Sequence, residues 1–262
     1  MSLLEKIYDL SPEQSQILHT EVLGEQLIEV REFQNYRWLQ IGGDSIQGLM
    51  DVNSPEQILL PNIQALLVTL LFCPKPLRVL NLGFGCGSIE RFFIAQYPEL
   101  EITSLESSAE VIRLAKDYFF FRNEKSIIYS SAEEYLSNKN KVYDIVLCDI
   151  FEGEEHPACL YDPAFYANIA NHLDESGVLA INLLPESEDD VLIIFSAMKN
   201  HFNHISLLEV PNHFNAIIFA SNHKLPNTIE LETAAHDLFK AKGLDLKALP
   251  QRLNRLMEIM QG

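Results

Sequence analysis

The chain is short of cysteine, of basic residues and of long apolar runs. Its four cysteines, Cys73, Cys86, Cys148 and Cys159, are scattered and never form a C-x-x-C pair. That spacing suggests neither a zinc knuckle nor a disulfide framework, and it fits a reducing cytoplasm. No apolar run reaches the roughly 18 residues of a membrane span. The opening Met1-Ser2-Leu3-Leu4-Glu5-Lys6 lacks a basic region followed by an apolar one, so a soluble, unexported protein with no membrane partner is expected. Only 19 Lys and Arg stand against 37 Asp and Glu, a formal net charge of -18. This argues against a nucleic-acid partner, because phosphate binding draws on Lys and Arg. Also missing is any Gly-Lys-Ser or Gly-Lys-Thr, which argues against phosphate cradling in the manner of nucleotide hydrolases.

What is present is apolar mass. At 262 residues and 47% hydrophobic, the chain can bury a full core in one large domain or one plus a small appendage. Residues 1–60 read as a small β-rich domain. The pattern predicts a short helix at about Ser11 to Thr20, then strands at Gln26 to Glu32, Tyr36 to Ile41 and Ser45 to Met50. Turn signals at Gln34-Asn35 and Gly42-Gly43-Asp44 separate them. Apolar residues at helical spacing from Pro61 to Phe72 end at Cys73-Pro74-Lys75-Pro76. Strands and helices then alternate through residues 61–224, which implies a mainly parallel sheet covered on both faces. Strands near Ile205 to Val210 and Ala216 to Ala220, joined by Pro211-Asn212-His213, are too close for a helical crossover and predict an antiparallel hairpin at the sheet edge. The fold class is therefore α/β, a Rossmann-like sheet with a C-terminal antiparallel hairpin, an ending that resembles class I methyltransferase-like folds. Residues 225–262 read as a helical tail with a break at Pro250.

The chemical signal begins where the strand Arg78-Val79-Leu80-Asn81-Leu82 runs into Gly83-Phe84-Gly85-Cys86-Gly87-Ser88. Glycines at 83, 85 and 87 allow a sharp turn and clear the side chains that would block a ribose or adenine edge. The next strand ends on Glu106, at about the 20-residue spacing where such folds bind ribose hydroxyls. The G-x-G-x-G form after Asn81 suits S-adenosylmethionine better than a dinucleotide. A second acidic strand end follows at Asp149, then Glu152 in Ile150-Phe151-Glu152-Gly153. Ligands gather at the carboxyl ends of strands in open α/β sheets, so Asp149 and Glu152 are expected beside the reactive end of the cofactor. There they could orient an ammonium and accept its proton. His156 reads as a surface histidine in preference to a ligand-loop residue, and Cys86 and Cys148 as packing residues.

These residues resemble the spermidine and spermine synthase-like proteins, aminopropyltransferases on a class I methyltransferase fold. The likeness runs from about Ile41 to Ala220 and includes Gly42-Gly43-Asp44-Ser45-Ile46-Gln47, the glycine loop, Glu106, Ser131-Ala132 and Asp149 to Pro157. It implies that Asp149 is the proton acceptor and Glu152 a second carboxylate for the amine. Gln47, Glu106, Ser131 and Ala132 would contact the thioadenosine part of the donor. The implied co-substrate is decarboxylated S-adenosylmethionine, the partner a small amine, the assembly a homodimer, and no metal is needed. Cys86 stands where the family usually has Asp, Ser131-Ala132 where it has Asp-Ala, and Pro61-Asn62 where it has Tyr-His. Two other readings share the scaffold: an S-adenosylmethionine-dependent methyltransferase and a noncatalytic nucleoside-binding homologue.

Overall fold

A computed structural model describes residues 3–24, 26–43, 45–138, 141–151 and 155–258. After a short helix, α1 (Leu3–Tyr8), four strands form an antiparallel meander: β1 (Gln16–Leu23), β2 (Gln26–Phe33), β3 (Tyr36–Ile41) and β4 (Ile46–Asp51). The β2–β3 turn falls at Gln34-Asn35, with Gln34 in the left-handed region at φ 57°. Ile28, Val30, Leu39 and Met50 are buried on this sheet. The segment read as a helix from Ser11 to Thr20 is instead a single 3-10 turn at Pro12–Gln14 followed by β1. Ile17, Thr20 and Val22 are β-branched, and pairing with β2 from Gln16↔Glu32 to Leu23↔Gln26 overrides a weak helical pattern.

The link to the second sheet is helical but not continuous. It runs as α2 (Pro61–Leu66) and α3 (Thr69–Phe72), and tighter backbone bonds such as Val68 N–H to Ala65 O and Leu70 N–H to Leu67 O interrupt the regular spacing between them. Thr69 adds a hydroxyl bond to Leu66 O at 3.0 Å.

The alternating part follows the sequence pattern closely: β5 (Arg78–Leu82), α4 (Ser88–Gln96), β6 (Glu101–Glu106), α5 (Ala109–Tyr118), β7 (Ile127–Tyr129), α6 (Ala132–Leu136), β8 (Tyr143–Cys148), α7 (Pro163–His172), β9 (Leu173–Leu183), α8 (Glu188–Met198), β10 (His204–Glu209) and β11 (Ala216–Ser221). The strand order is β12-β10-β11-β9-β8-β5-β6-β7, where β12 (Leu253–Glu258) belongs to the tail. Strands β5 to β9 are parallel, and β11 enters antiparallel between β9 and β10. Both faces are covered, as the strand alternation requires. Val79, Ile145 and Leu147 join one apolar cluster with Leu66, Phe92 and Leu231, while Leu80, Leu82 and Val146 join another with Phe165, Ile169 and Ile194.

The expected hairpin of β10 and β11 is present, but it is not the sheet edge. The tail continues past α9 (Thr228–Lys242), capped by Asn227 and ended by Gly243, and then returns as β12 against β10. The helical reading of residues 225–262 is thus corrected at Leu253–Glu258, which is strand. Pro250 opens a 3-10 turn at Pro250–Arg252, and Leu253 onward gains a ladder by pairing with a strand whose outer edge was otherwise bare.

Candidate functional site

The chain leaves β5 for β6 and β7 on one side of the sheet, and β8 and β9 lie on the other. This reversal opens a crevice beyond the carboxyl ends of β5 and β8. A cleft of about 1060 Å³ occupies it, and Gln47, Gly83, Gly85, Glu106, Ser131, Ala132 and Asp149 all line it. Glu152 lies outside the described residues. Gly87, at φ 73°, is the N-cap of α4 and does not line the cleft; a Cβ there would come within 2.9 Å of the Phe84 ring.

The glycine loop sits close to the acidic end of β8. Gly83 has φ +99°, and a Cβ on it would stand 2.1 Å from the carbonyl oxygen of Asp149. Any side chain would therefore drive the two strand ends apart. Glu106 locks the loop from the other side: its Oε2 accepts from Gly85 N–H at 3.0 Å and its Oε1 from Ser108 N–H at 2.9 Å. Burial raises the Glu106 carboxyl, and the backbone donors at Ser108 and Gly85 oppose that rise. Each oxygen keeps a lone pair that can face ribose hydroxyls.

Asp149 is half-buried in the cleft wall. Its Oδ1 accepts from Asn182 Nδ2 at 2.8 Å, and Asn182 Oδ1 accepts in turn from Asn215 Nδ2 at 3.1 Å. Burial raises the Asp149 carboxyl, and the Asn182 bond lowers it. A carboxyl poised in this way can take a proton from an ammonium that must become neutral to attack. Asn182 was invisible as a site residue because it sits inside the apolar run Ala180-Ile181-Asn182-Leu183-Leu184. A lone amide in a buried strand is the one signal that could have found it.

Other residues take structural parts. Ser131 caps α6, its Oγ accepting from Glu134 N–H at 3.2 Å, which leaves the hydroxyl proton free to donate. Ala132 packs with Leu80, Leu82 and Leu105. His156, expected at the surface, is half-buried: Nε2 accepts from Leu184 N–H at 2.8 Å, so Nδ1 carries the proton and faces Tyr161 Oη at 3.4 Å. Burial lowers its pKa. Cys86 is 3% exposed and its thiol is pushed up to about 12 by burial. Arg91, also buried, donates to the carbonyls of Pro55, Cys86 and Phe119, tying the loop to the segment after β4. Among the described residues no group of three His, Cys, Asp or Glu is placed to hold a metal ion, and no helix is long and apolar enough to cross a membrane.

The sheet order with its antiparallel β11 is that of a class I methyltransferase-like fold, here preceded by a separate antiparallel sheet. No family model matches the chain. It is similar to curated polyamine aminopropyltransferases from Neisseria meningitidis (27% identity, 83% of this chain and 85% of the relative) and Vibrio vulnificus (29%, 87% and 79%). Among solved structures, a probable spermidine synthase of Corynebacterium glutamicum superposes with a TM-score of 0.74 at 18% identity, over 93% of this chain and 91% of that one. The human methyltransferase-like protein 13, solved in complex with SAH, gives 0.60 at 20% identity over 70% and 89%. The curated relatives carry the resemblance read from the motifs, and the structural neighbours share the fold.

Proposed function

We propose that the chain is an aminopropyltransferase that moves an aminopropyl group from decarboxylated S-adenosylmethionine to a diamine or polyamine. The observation that carries this reading is the Asp149 carboxyl, fixed by Asn182 in the same cleft as the glycine loop and Glu106. The similarity to curated polyamine aminopropyltransferases supports it, as does the acidic balance of the chain. Glu106 would hold the ribose hydroxyls, with Gln47, Ser131 and Ala132 around the thioadenosine. Asp149 would accept a proton from the acceptor ammonium, and a neighbouring sulfonium would favour that loss by like-charge repulsion. The freed nitrogen lone pair forms the new N–C bond at the carbon beside sulfur, the C–S bond breaks, and methylthioadenosine leaves with the electron pair. Glu152 would be the second carboxylate holding the amine. The same reading takes the protein as cytoplasmic and as a homodimer, and sedimentation of the purified chain tests the dimer.

The alternative is methyl transfer from S-adenosylmethionine. It is favoured by the shared fold with the SAH-bound methyltransferase-like protein and by Cys86, which offers no carboxylate to the terminal ammonium of the decarboxylated donor. Mass spectrometry after incubation with either donor and a panel of diamines and triamines separates the two. Methylthioadenosine with a lengthened polyamine supports the first; S-adenosylhomocysteine supports the second. Neither product from folded protein leaves the noncatalytic nucleoside-binding homologue.

A further inference from the structure

Beneath the glycine loop lies a buried acid that the reaction above does not use. Glu90, in the first turn of α4, is fully buried. Its Oε1 accepts from Asn81 Nδ2 at 2.7 Å and from Ser104 Oγ at 2.6 Å. Asn81 and Ser104 are direct partners across the parallel β5–β6 ladder, so two strands aim donors at one carboxyl oxygen. Asn81 spends its other amide hydrogen on Gly83 O at 3.1 Å, at the point where the strand turns into the glycine loop.

Asn81 Oδ1 and Glu90 Oε2 are both buried, and among the described residues neither has a partner. They belong to two side chains already joined by one hydrogen bond, and both are acceptors so long as Glu90 is ionised. A single proton on Oε2 turns one of these two acceptors into a donor, which is what a two-bonded acid–amide pair requires. We infer that Glu90 is a neutral acid paired with Asn81, and that this pair is a positioning device which fixes Gly83 and the nucleoside-binding loop. Burial also raises the Glu90 carboxyl. The charge facing it is Arg91 on its own helix, already engaged by three carbonyl oxygens, while Asn81 on β5 and Ser104 on β6 are neutral.

The positioning role rests on the cleft being a nucleoside site; the protonation does not. Two measurements keep these apart. The first is an infrared difference spectrum of the ligand-free protein at neutral pH, wild type against Glu90→Gln. It is expected to lose the carbonyl stretch of a protonated carboxylic acid, and loss of a carboxylate band instead overturns the inference whether or not anything binds. The second is calorimetric titration with methylthioadenosine. Gln reproduces both bonds of the neutral acid, so Glu90→Gln is expected within about threefold of wild type, and Glu90→Leu about tenfold weaker or more. Gln as weak as Leu, or Leu as tight as wild type, overturns the positioning role. If wild type takes up no methylthioadenosine, the nucleoside reading and the positioning role fail together, and the infrared band still decides the protonation.

Discussion

Asn182 Nδ2 donates to Asp149 Oδ1 at 2.8 Å from the neighbouring strand, and Asn215 Nδ2 holds Asn182 in that orientation at 3.1 Å. The donor favours the ionised form of Asp149 against the burial that disfavours it. Asn182→Leu removes the donor and leaves burial unopposed, so the Asp149 carboxyl rises further. The acidic limb of the pH–rate profile is expected to move to higher pH, with a smaller effect on the plateau. An unmoved limb would show that Asn182 does not tune Asp149.

Asp149→Asn keeps the shape and removes the proton acceptor. Turnover is expected to fall by about 10²- to 10⁴-fold, the ordinary contribution of a positioned general base, while methylthioadenosine affinity stays within about threefold. Steady-state rates and calorimetry on the same preparation check this. In the wild type, activity should rise with pH through the raised Asp149 pKa, since only the carboxylate accepts a proton.

Glu106→Ala withdraws the acceptor from Gly85 N–H and Ser108 N–H at once. The loop loses its clamp and the ribose its partner, and hydrogen bonds to a charged group are each worth about 1.5 to 3 kcal/mol. Nucleoside affinity is expected to drop by at least about tenfold, read by calorimetry, with a lower unfolding temperature even without ligand. Glu106→Gln keeps a single acceptor and should fall between the two.

Much of this was legible in the chain. The alternation from β5 to β11 was readable because apolar strands and amphipathic helices were punctuated by Pro, Gly and polar caps, and the glycine loop and Glu106 marked where the sheet would open. The misses have physical causes. Strand β1 has no buried position, so its pattern carried little information until β2 paired with it. Strand β12 exists because β10 offered an edge, a tertiary fact that no local propensity encodes. Asn182 sat in an apolar run and Glu90 beside Arg91 at an ordinary-looking helix start, and only their hydrogen bonds in three dimensions show what they hold.

The two sheets meet at a glycine. Gly48 on β4 faces Cys86 in the glycine loop so closely that a Cβ on it would lie 2.5 Å from Cys86 Sγ and 2.7 Å from Cys86 Cβ. Glycine is needed there for approach rather than for an unusual backbone, since Gly48 is absent from the positive-φ residues. Both sides are covered: Cys86 is 3% exposed and packs with Ile28, Val30, Leu39 and Met50 of the N-terminal sheet. Gly48→Ala must push the loop and β4 apart, an overpacking cost of about 1 to 3 kcal/mol. Because Gln47 precedes Gly48 and lines the cleft, the same shift should weaken nucleoside binding. Cys86→Ala removes Sγ but leaves Cβ, so the double variant should regain part of the lost stability and no more. Thermal unfolding of the four proteins in a double-mutant cycle gives the coupling directly. Strict additivity would mean that the sheet and the loop do not share this contact.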